Sequence, residues 1–195
     1  MNNKELNKKV KKLINKAWRT KKSRMNAEER LLKKDRFLKK IVINYSIFII
    51  ALSIINLKIN SNIINYMLII SSLIILTVSL YRGSENLVTR ARNLKNNYTE
   101  IAKLETKLNI MLLEDTTGEE FLKISDDYQD ILKKCENHRI IDYQRLMFFL
   151  DNVDLKIKTK IILLKICERF FKITLLYIIP SVIFGYIVYL NLQCF

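Results

Sequence analysis

One short segment of the chain concentrates the side chains that could carry acid–base chemistry or bind a metal. Its residues are Tyr128, Cys135, Glu136, Asn137, His138, Asp142 and Tyr143. His138 and Asp142 are four residues apart, so on a helix they would share one face, where a hydrogen bond could fix the tautomer of the imidazole. This spacing indicates either a polar brace inside a helical bundle or a site that senses a signal or contacts another copy.

Enzymatic and metal-binding functions are poorly supported by the remaining sequence. His138 is the single histidine and the three cysteines form no CxxC pair. Cys135 with His138 would offer two ligands where a structural zinc takes four. The chain has three glycines and neither an HExxH nor a GxSxG motif, which argues against a phosphate-binding loop, a zinc protease and a serine hydrolase. We therefore predict no enzyme, no metal and no cofactor.

The helix that must precede this segment is predicted by apolar residues that recur at alternating spacings of four and three. No Pro or Gly occurs from Glu85 to Glu114, so nothing interrupts the helix. Such a heptad-like pattern is typical of coiled-coil packing, and we expect it to hold a cytoplasmic bundle together. The predicted seam residues are Leu87, Leu94, Tyr98, Ile101 and Leu108.

A second helix is predicted to fold back on the first and complete a cytoplasmic helical hairpin. A capping box, formed by Thr116 with Glu119 or by Thr117 with Glu120, marks its start. Its apolar stripe is expected to continue to His138 on the same helix. The candidate segment would then lie at the end of this second helix.

Two apolar runs without a charged residue, Ile41–Leu57 and Ile63–Tyr81, flank a polar gap of five residues. As helices, these runs would be about 25 and 28 Å long, close to the roughly 30 Å hydrocarbon core of a bilayer. They predict a transmembrane helical hairpin. A third uncharged run, Ile173–Leu192, predicts a C-terminal transmembrane helix that Pro180 could kink.

Basic residues are distributed unevenly around these runs. Residues 1–40 carry 16 Lys and Arg against four acidic residues, and residues 82–172 carry 17 against 15. By the positive-inside rule, both regions lie in the cytoplasm, with the turn of the hairpin and the C-terminus outside. The arm is also amphipathic, so it either lies on the membrane or packs on the cytoplasmic domain. We expect membrane lipids rather than nucleic acid as its partner.

Small polar residues recur every seven residues within the first two apolar runs, so each set lies on one face of its helix. They are Ser46 and Ser53 in the first run and Asn65, Ser72 and Ser79 in the second. Small residues let membrane helices approach closely, and polar ones hydrogen-bond across the contact. These stripes indicate either packing between the two helices of the hairpin or the lining of a water-filled pore in an oligomer.

Together these patterns predict an all-α membrane protein with several spans. It would consist of a basic cytoplasmic helical arm (1–40), a transmembrane helical hairpin (41–81), a cytoplasmic helical region (82–172) and a C-terminal transmembrane helix (173–192).

The order of these features resembles the bacterial SLATT domain over about residues 20–150. The residues that carry the resemblance are Tyr81, Arg90-Ala91-Arg92-Asn93-Leu94-Lys95, Tyr98, Tyr128, Glu136-Asn137-His138 and Asp142-Tyr143. The Glu-Asn-His triplet with the following Asp-Tyr pair is the most specific part. The family pattern has two spans, so the third span here extends it.

The resemblance implies an effector of anti-phage or other conflict systems in the bacterial inner membrane. It implies that copies of the chain assemble and permeabilise the membrane during abortive infection. The signal would come from a partner protein: a nucleotide second-messenger synthetase, a SLOG-type sensor or a reverse transcriptase. Two alternatives remain open, namely a membrane-anchored scaffold that recruits a cytoplasmic partner and a holin-like phage membrane protein.

Overall fold

The computed structural model describes residues 3–113, 117–149 and 155–193, and all regular structure in these ranges is helical. The helices are α1 (Asn3–Ile59), α2 (Asn62–Glu85), α3 (Leu87–Met111), α4 (Gly118–Lys133), α5 (Ile140–Phe149), α6 (Leu155–Ile173) and α7 (Ile179–Gln193), with a π-helical turn, Thr174–Ile178, between the last two. The prediction of an all-helical chain is confirmed.

Helix α1 joins the basic arm and the first apolar run in one element of 57 residues. Its sequence has neither Pro nor Gly and is rich in Lys and Leu as well as Ile, so no residue breaks it. Asparagines in the left-handed conformation follow α1 and α2, with φ of 51° at Asn60 and 46° at Asn86. Asn adopts this conformation more readily than most residues, which allows two very short connections.

The chain forms two compact units, and α1 contributes to both. Unit 1 comprises residues 1–33 and 87–153, and unit 2 comprises residues 34–86 and 154–195. In unit 1, the arm of α1 packs against α3 and α4. The buried residues of this core are Leu6, Val10, Leu13, Ala17, Ile101, Leu104, Leu108, Met111 and Tyr128. The apolar stripe of the arm is therefore buried against the chain's own helices.

The predicted seam of α3 lies in the interior of unit 1. Tyr98 is half-buried, and the other four seam residues are almost completely buried. The phenol of Tyr98 hydrogen-bonds to Glu28 of α1, and burial together with this carboxylate raises the pKa of Tyr98 to about 12. The phenol therefore stays protonated at neutral pH and can donate to Glu28.

Truncation of the seam is expected to destabilise unit 1. Ile101 has no exposed surface, so Ile101→Ala should lower the free energy of unfolding by about 2–5 kcal/mol through lost apolar contact and a cavity. Hydrogen exchange of the α3 amides in the full-length protein would measure the change. Ile110→Ala is the matched control because Ile110 is 48% exposed on the same helix, and it should cost about 1 kcal/mol or less. Equal effects of the two variants would contradict this packing.

Helix α4 begins at one of the two predicted capping boxes. The Thr117 hydroxyl accepts from the Glu120 amide at 3.4 Å, and the Glu120 carboxylate accepts from the Thr117 amide at 3.2 Å. The expected end of this helix is wrong, because α4 stops at Lys133 and His138 lies in a non-helical connection. A new helix begins there, since the Asp142 carboxylate accepts from the Arg139 amide at 3.0 Å.

Unit 2 contains the second part of α1, then α2, α6, the π-helical turn and α7. Near the connection, Phe48 and Leu52 pack on Ile64, while at the other end Arg82 binds Asp35 at 2.7 Å. These contacts pair α1 and α2 in opposite directions. The contact is apolar along most of its length.

Two helical stretches, one in α1 and one beginning with α2, are long and apolar enough to cross a membrane. Only 22% and 11% of their most apolar windows are buried within the protein. A core helix of a soluble protein buries its apolar face, so these exposed apolar surfaces fit a lipid environment. In the third apolar run, the π-helical turn ends two residues before Pro180, which has no amide hydrogen to continue the α-helical ladder.

Candidate functional site

Most of the residues singled out by the sequence gather in unit 1, around the end of α4 and the start of α5. Tyr128 is fully buried at the α1–α4 contact, and its hydroxyl lies 2.9 Å from the hydroxyl of Thr20. The Lys16 ammonium lies 5.7 Å from the ring centroid of Tyr128, within reach of a cation–π interaction. Tyr128 thus fixes α4 on the arm of α1.

Asp142 is the most highly connected residue of the predicted segment. Arg30 donates to its two carboxylate oxygens at 2.9 and 3.0 Å, and the Asp142 carbonyl accepts from the Asn26 amide group at 2.9 Å. Its side chain is 3% exposed. A two-point Arg–carboxylate pair in such a setting is among the stronger polar contacts in proteins. We call these contacts the α5 latch, because they hold the start of α5 on α1.

The predicted hydrogen bond between His138 and Asp142 is not formed. The Asp142 carboxylate is occupied by Arg30 and the Arg139 amide, and His138 Nδ1 is buried without a partner among the described residues. The His138 ring instead lies 6.4 Å from the ring of Tyr143. The four-residue spacing predicts this bond only if His138 and Asp142 lie on the same helix. His138 lies in the non-helical connection between α4 and α5, so the two side chains do not share a helix face.

Of the remaining members of the segment, Glu136 and Asn137 lie at the surface, and Cys135 and Tyr143 are half-buried. Glu136 forms an ion pair with Arg90 of α3, with a distance of 2.9 Å between Oε2 and Nη2, and Asn137 is exposed. Cys135 is half-buried, and its thiol donates to the Glu136 carbonyl at 3.3 Å. The structure therefore separates Tyr128 and Asp142, which are buried, from Glu136 and Asn137.

Sequence reasoning missed the basic partners of this segment, above all Arg24. Its side chain is fully buried, and Nη2 donates to the Leu132 carbonyl at 3.2 Å. A signal was present, because Arg24 lies seven residues after Ala17 and seven before Leu31, and both of these are buried. An arginine within an apolar stripe at helical spacing is a candidate for burial.

Arg24 is the centre of a group of buried and half-buried polar residues that we call the polar cluster. Its other members are Ser23, Asn97, Tyr128, Cys135 and His138. Asn97 donates to the Ile131 carbonyl at 2.6 Å, next to the carbonyl that Arg24 binds. These carbonyls belong to the last turn of α4, where backbone acceptors lack helical partners and the helix dipole favours a cation. Part of the cluster therefore caps α4.

The polar cluster holds a positive charge without a carboxylate among its members. Burial raises the pKa of both the Tyr128 phenol and the Cys135 thiol, so both are neutral at pH 7. Burial and the nearby Arg24 charge lower the pKa of His138, which is therefore neutral as well. Burial also lowers the pKa of Arg24, but a guanidinium remains charged in proteins. Arg24 therefore gives the cluster a positive charge, which the Asp142 carboxylate near His138 and the Glu136 carboxylate near Cys135 partly offset.

Three serines of the polar stripes in unit 2, Ser53, Ser72 and Ser79, lie outside the contact between α1 and α2, whereas Asn65 takes part in it. Ser53, Asn65, Ser72 and Ser79 are exposed, and Ser46 is half-buried. The hydroxyls of Ser53 and Ser72 donate to backbone carbonyls of their own helices at 2.8 Å. Asn65 accepts a hydrogen bond from Asn56 near the connection. Between their ends, these two helices pack mainly through apolar side chains, so the three exposed serines are available to other molecules.

No group of three or more His, Cys, Asp or Glu residues that could hold a metal occurs in residues 3–113, 117–149 and 155–193.

Comparison with known proteins gives one finding that covers most of the chain. Residues 6–190 match a family model described as the SMODS and SLOG-associating 2TM effector domain family 5. No curated protein and no solved structure matches the chain.

Proposed function

The chain belongs to the SMODS and SLOG-associating 2TM effector domain family 5, and from this membership we propose that it oligomerises and permeabilises the bacterial inner membrane on a signal from a partner protein. Membership confirms the resemblance to the SLATT domain. It also makes the chain a membrane effector of the type found in defence systems. The proposed consequence for the cell is abortive infection, in which the membrane of an infected bacterium fails before the phage is released.

The observation that carries the proposal is the outward position of the polar stripes. Ser53, Ser72 and Ser79 are exposed in the uncharged runs 41–57 and 63–81, where most of the other exposed residues are apolar. The hydroxyl hydrogens of Ser53 and Ser72 are used in hydrogen bonds to the backbone of their own helices. The hydroxyl oxygens stay exposed on one face of each helix and can still accept hydrogen bonds. Such surfaces favour contact with a second copy or with water in a pore over contact with lipid.

The proposed orientation follows from the charges. Residues 1–40 and 82–172 contain 33 of the 34 Lys and Arg, and Lys58 is the other. Both regions would therefore lie in the cytoplasm, with the connection between α1 and α2 outside. The run 173–192 would cross the membrane as a third span and bring the C-terminus outside.

The description of the family also supports the class of partner. It names association with SMODS and SLOG proteins, so the signal would come from a nucleotide second-messenger synthetase or a SLOG-type sensor. A reverse transcriptase is a further candidate from the SLATT resemblance. Each of these partners would act from the cytoplasmic side, where unit 1 is proposed to lie.

Co-expression tests the proposal. Inducing the chain together with its proposed activating partner should collapse the membrane potential and arrest growth, because an open pore dissipates ion gradients. A potential-sensitive dye would measure the collapse, and each protein expressed alone is the control. If potential is retained while the chain is expressed, inserted and bound to its activator, the effector proposal is wrong. Collapse with the chain alone would favour the holin-like alternative.

A further inference from the structure

Unsatisfied polar atoms in unit 1 are concentrated in one place. Five buried side-chain atoms lack a hydrogen-bond partner among the residues that the structure describes, and all five belong to the polar cluster. They are Ser23 Oγ, Arg24 Nε, Arg24 Nη1, Asn97 Oδ1 and His138 Nδ1. Buried polar atoms are nearly always paired, so such a concentration calls for a functional explanation.

Most of the unused donors belong to Arg24. A guanidinium has five N–H donors, of which Nε carries one and Nη1 carries two, and neither atom has a partner. The Ser23 hydroxyl, one residue earlier on α1, is a further buried group without a partner. The charge of Arg24 favours an anionic acceptor. The nearest carboxylates of the segment are already used, since Asp142 binds Arg30 and Glu136 binds Arg90.

We propose that the polar cluster is a binding site for the phosphate group of a small cytoplasmic ligand, held by Arg24. The free Nη1–H and Nε–H groups lie on different edges of the guanidinium, so a phosphate would accept from one edge, and its charge of about −1.5 to −2 attracts the guanidinium more strongly than the single charge of a carboxylate. The acceptors Asn97 Oδ1 and His138 Nδ1 fit a hydroxyl on the phosphate or on the group that bears it.

Access to the site requires movement of the connection between α4 and α5, residues 134–139. This connection is non-helical and carries Cys135 and His138 of the polar cluster. Two surface ion pairs hold it, Glu136 with Arg90 and Lys134 with Glu100. Partly exposed pairs of this kind contribute little to stability, so the connection can open locally at small cost. A ligand that binds Arg24 would then bridge α1 and the closed connection.

Hydrogen exchange of the full-length protein in detergent tests this site without any measurement of membrane permeability. The probes are inorganic phosphate and pyrophosphate at about 10 mM, with sodium chloride at matched ionic strength and sodium acetate as the carboxylate probe. Either phosphate probe should slow exchange in residues 131–139 at least about threefold, because binding to the closed form opposes opening. Chloride and acetate should leave exchange unchanged.

Substitutions identify the residue responsible. Arg24→Met should fold, since replacing a buried charge by an apolar residue is often tolerated, and it should abolish the response to phosphate. Arg19→Met is the matched control, because Arg19 is exposed on the same helix, and it should respond as the native chain does. If Arg24→Met does not fold, Arg24→Lys takes its place, and loss of the planar fork should weaken phosphate binding about tenfold, so that a threefold slowing of exchange falls to about 1.2-fold.

Each result of these exchange experiments either supports the phosphate site or overturns it. Absence of protection by both phosphate probes in the native chain would overturn the proposal, as would an undiminished response in the Arg24 variant that folds. Equal protection by acetate would overturn the assignment to phosphate. A phosphate response lost only in the Arg24 variants would establish the site, whatever the result of the membrane-potential experiment.

Discussion

Asp142→Ala is expected to detach the start of α5 and lower the free energy of unfolding of unit 1 by about 3–5 kcal/mol. The substitution removes the partner of Arg30, which stays partly buried, and removes the acceptor for the Arg139 amide at the start of α5. A charge left unpaired in a partly buried position costs more than the pair itself contributes. Hydrogen exchange in residues 140–149 of the full-length protein would report the loss, since opening of α5 exposes these amides first.

Two further variants make this prediction specific. Asp127→Ala is the matched control, because Asp127 is exposed on α4, and it should change stability by about 0.5 kcal/mol or less. The double variant Arg30→Met with Asp142→Ala should be more stable than Asp142→Ala alone, because it removes the unpaired charge. If Asp142→Ala and Asp127→Ala have the same effect, the α5 latch does not hold α5.

The helical architecture was predictable because it depends on local patterns. The uncharged runs, the absence of Pro and Gly in α1 and α3, and the spacing of the seam are all read within windows of a few turns. The seam residue Ile101 is buried, as the alternating spacing of four and three residues predicts for the apolar face of a helix. The capping box at Thr117 is equally local, since its two hydrogen bonds join residues three positions apart.

The candidate site was less predictable, because its contacts join distant parts of the chain. Arg30 and Asp142 are 112 residues apart, and no spacing rule pairs them. The prediction of a His138–Asp142 bond assumed a continuous helix, and the Asp142 carboxylate instead starts a new one. His138 does not bind Asp142 because Arg30 and the Arg139 amide already occupy its carboxylate. The spacing of residues along the sequence does not show which donor binds a given carboxylate.

A count of the charges in the arm also overestimates its basic surface. Counting Lys and Arg in residues 1–40 treats them as one basic surface available to lipids. Several of these residues are used inside unit 1 instead: Lys21 pairs with Glu105, Arg30 binds Asp142 and Arg24 is buried. The electrostatic attraction of the arm for an anionic membrane is therefore smaller than the count implies, and part of the positive charge serves the polar cluster and the α5 latch.

Replacing both Ser53 and Ser72 by Leu should abolish depolarisation by the activated protein while leaving its insertion intact. Leu is more favourable than Ser in lipid, and the two hydroxyls bond only to their own helices, so no contact between α1 and α2 is lost. A pore or a close contact between copies would lose its small polar surface and gain bulk. Dye-measured depolarisation on co-expression with the activator should fall at least about tenfold, since blocking assembly or wetting removes the open state altogether.

The matched control exchanges neighbouring exposed apolar residues, Ile54→Leu with Leu73→Ile, which preserves volume and leaves both serines in place. This variant should depolarise as the native chain does. Undiminished depolarisation by the double Leu variant would show that the polar stripes neither line the pore nor hold copies together. A scaffold that recruits a partner would tolerate both pairs of substitutions and would still bind that partner, without depolarisation in any of the three proteins. The comparison therefore tests the position of the stripes and the class of function in one experiment.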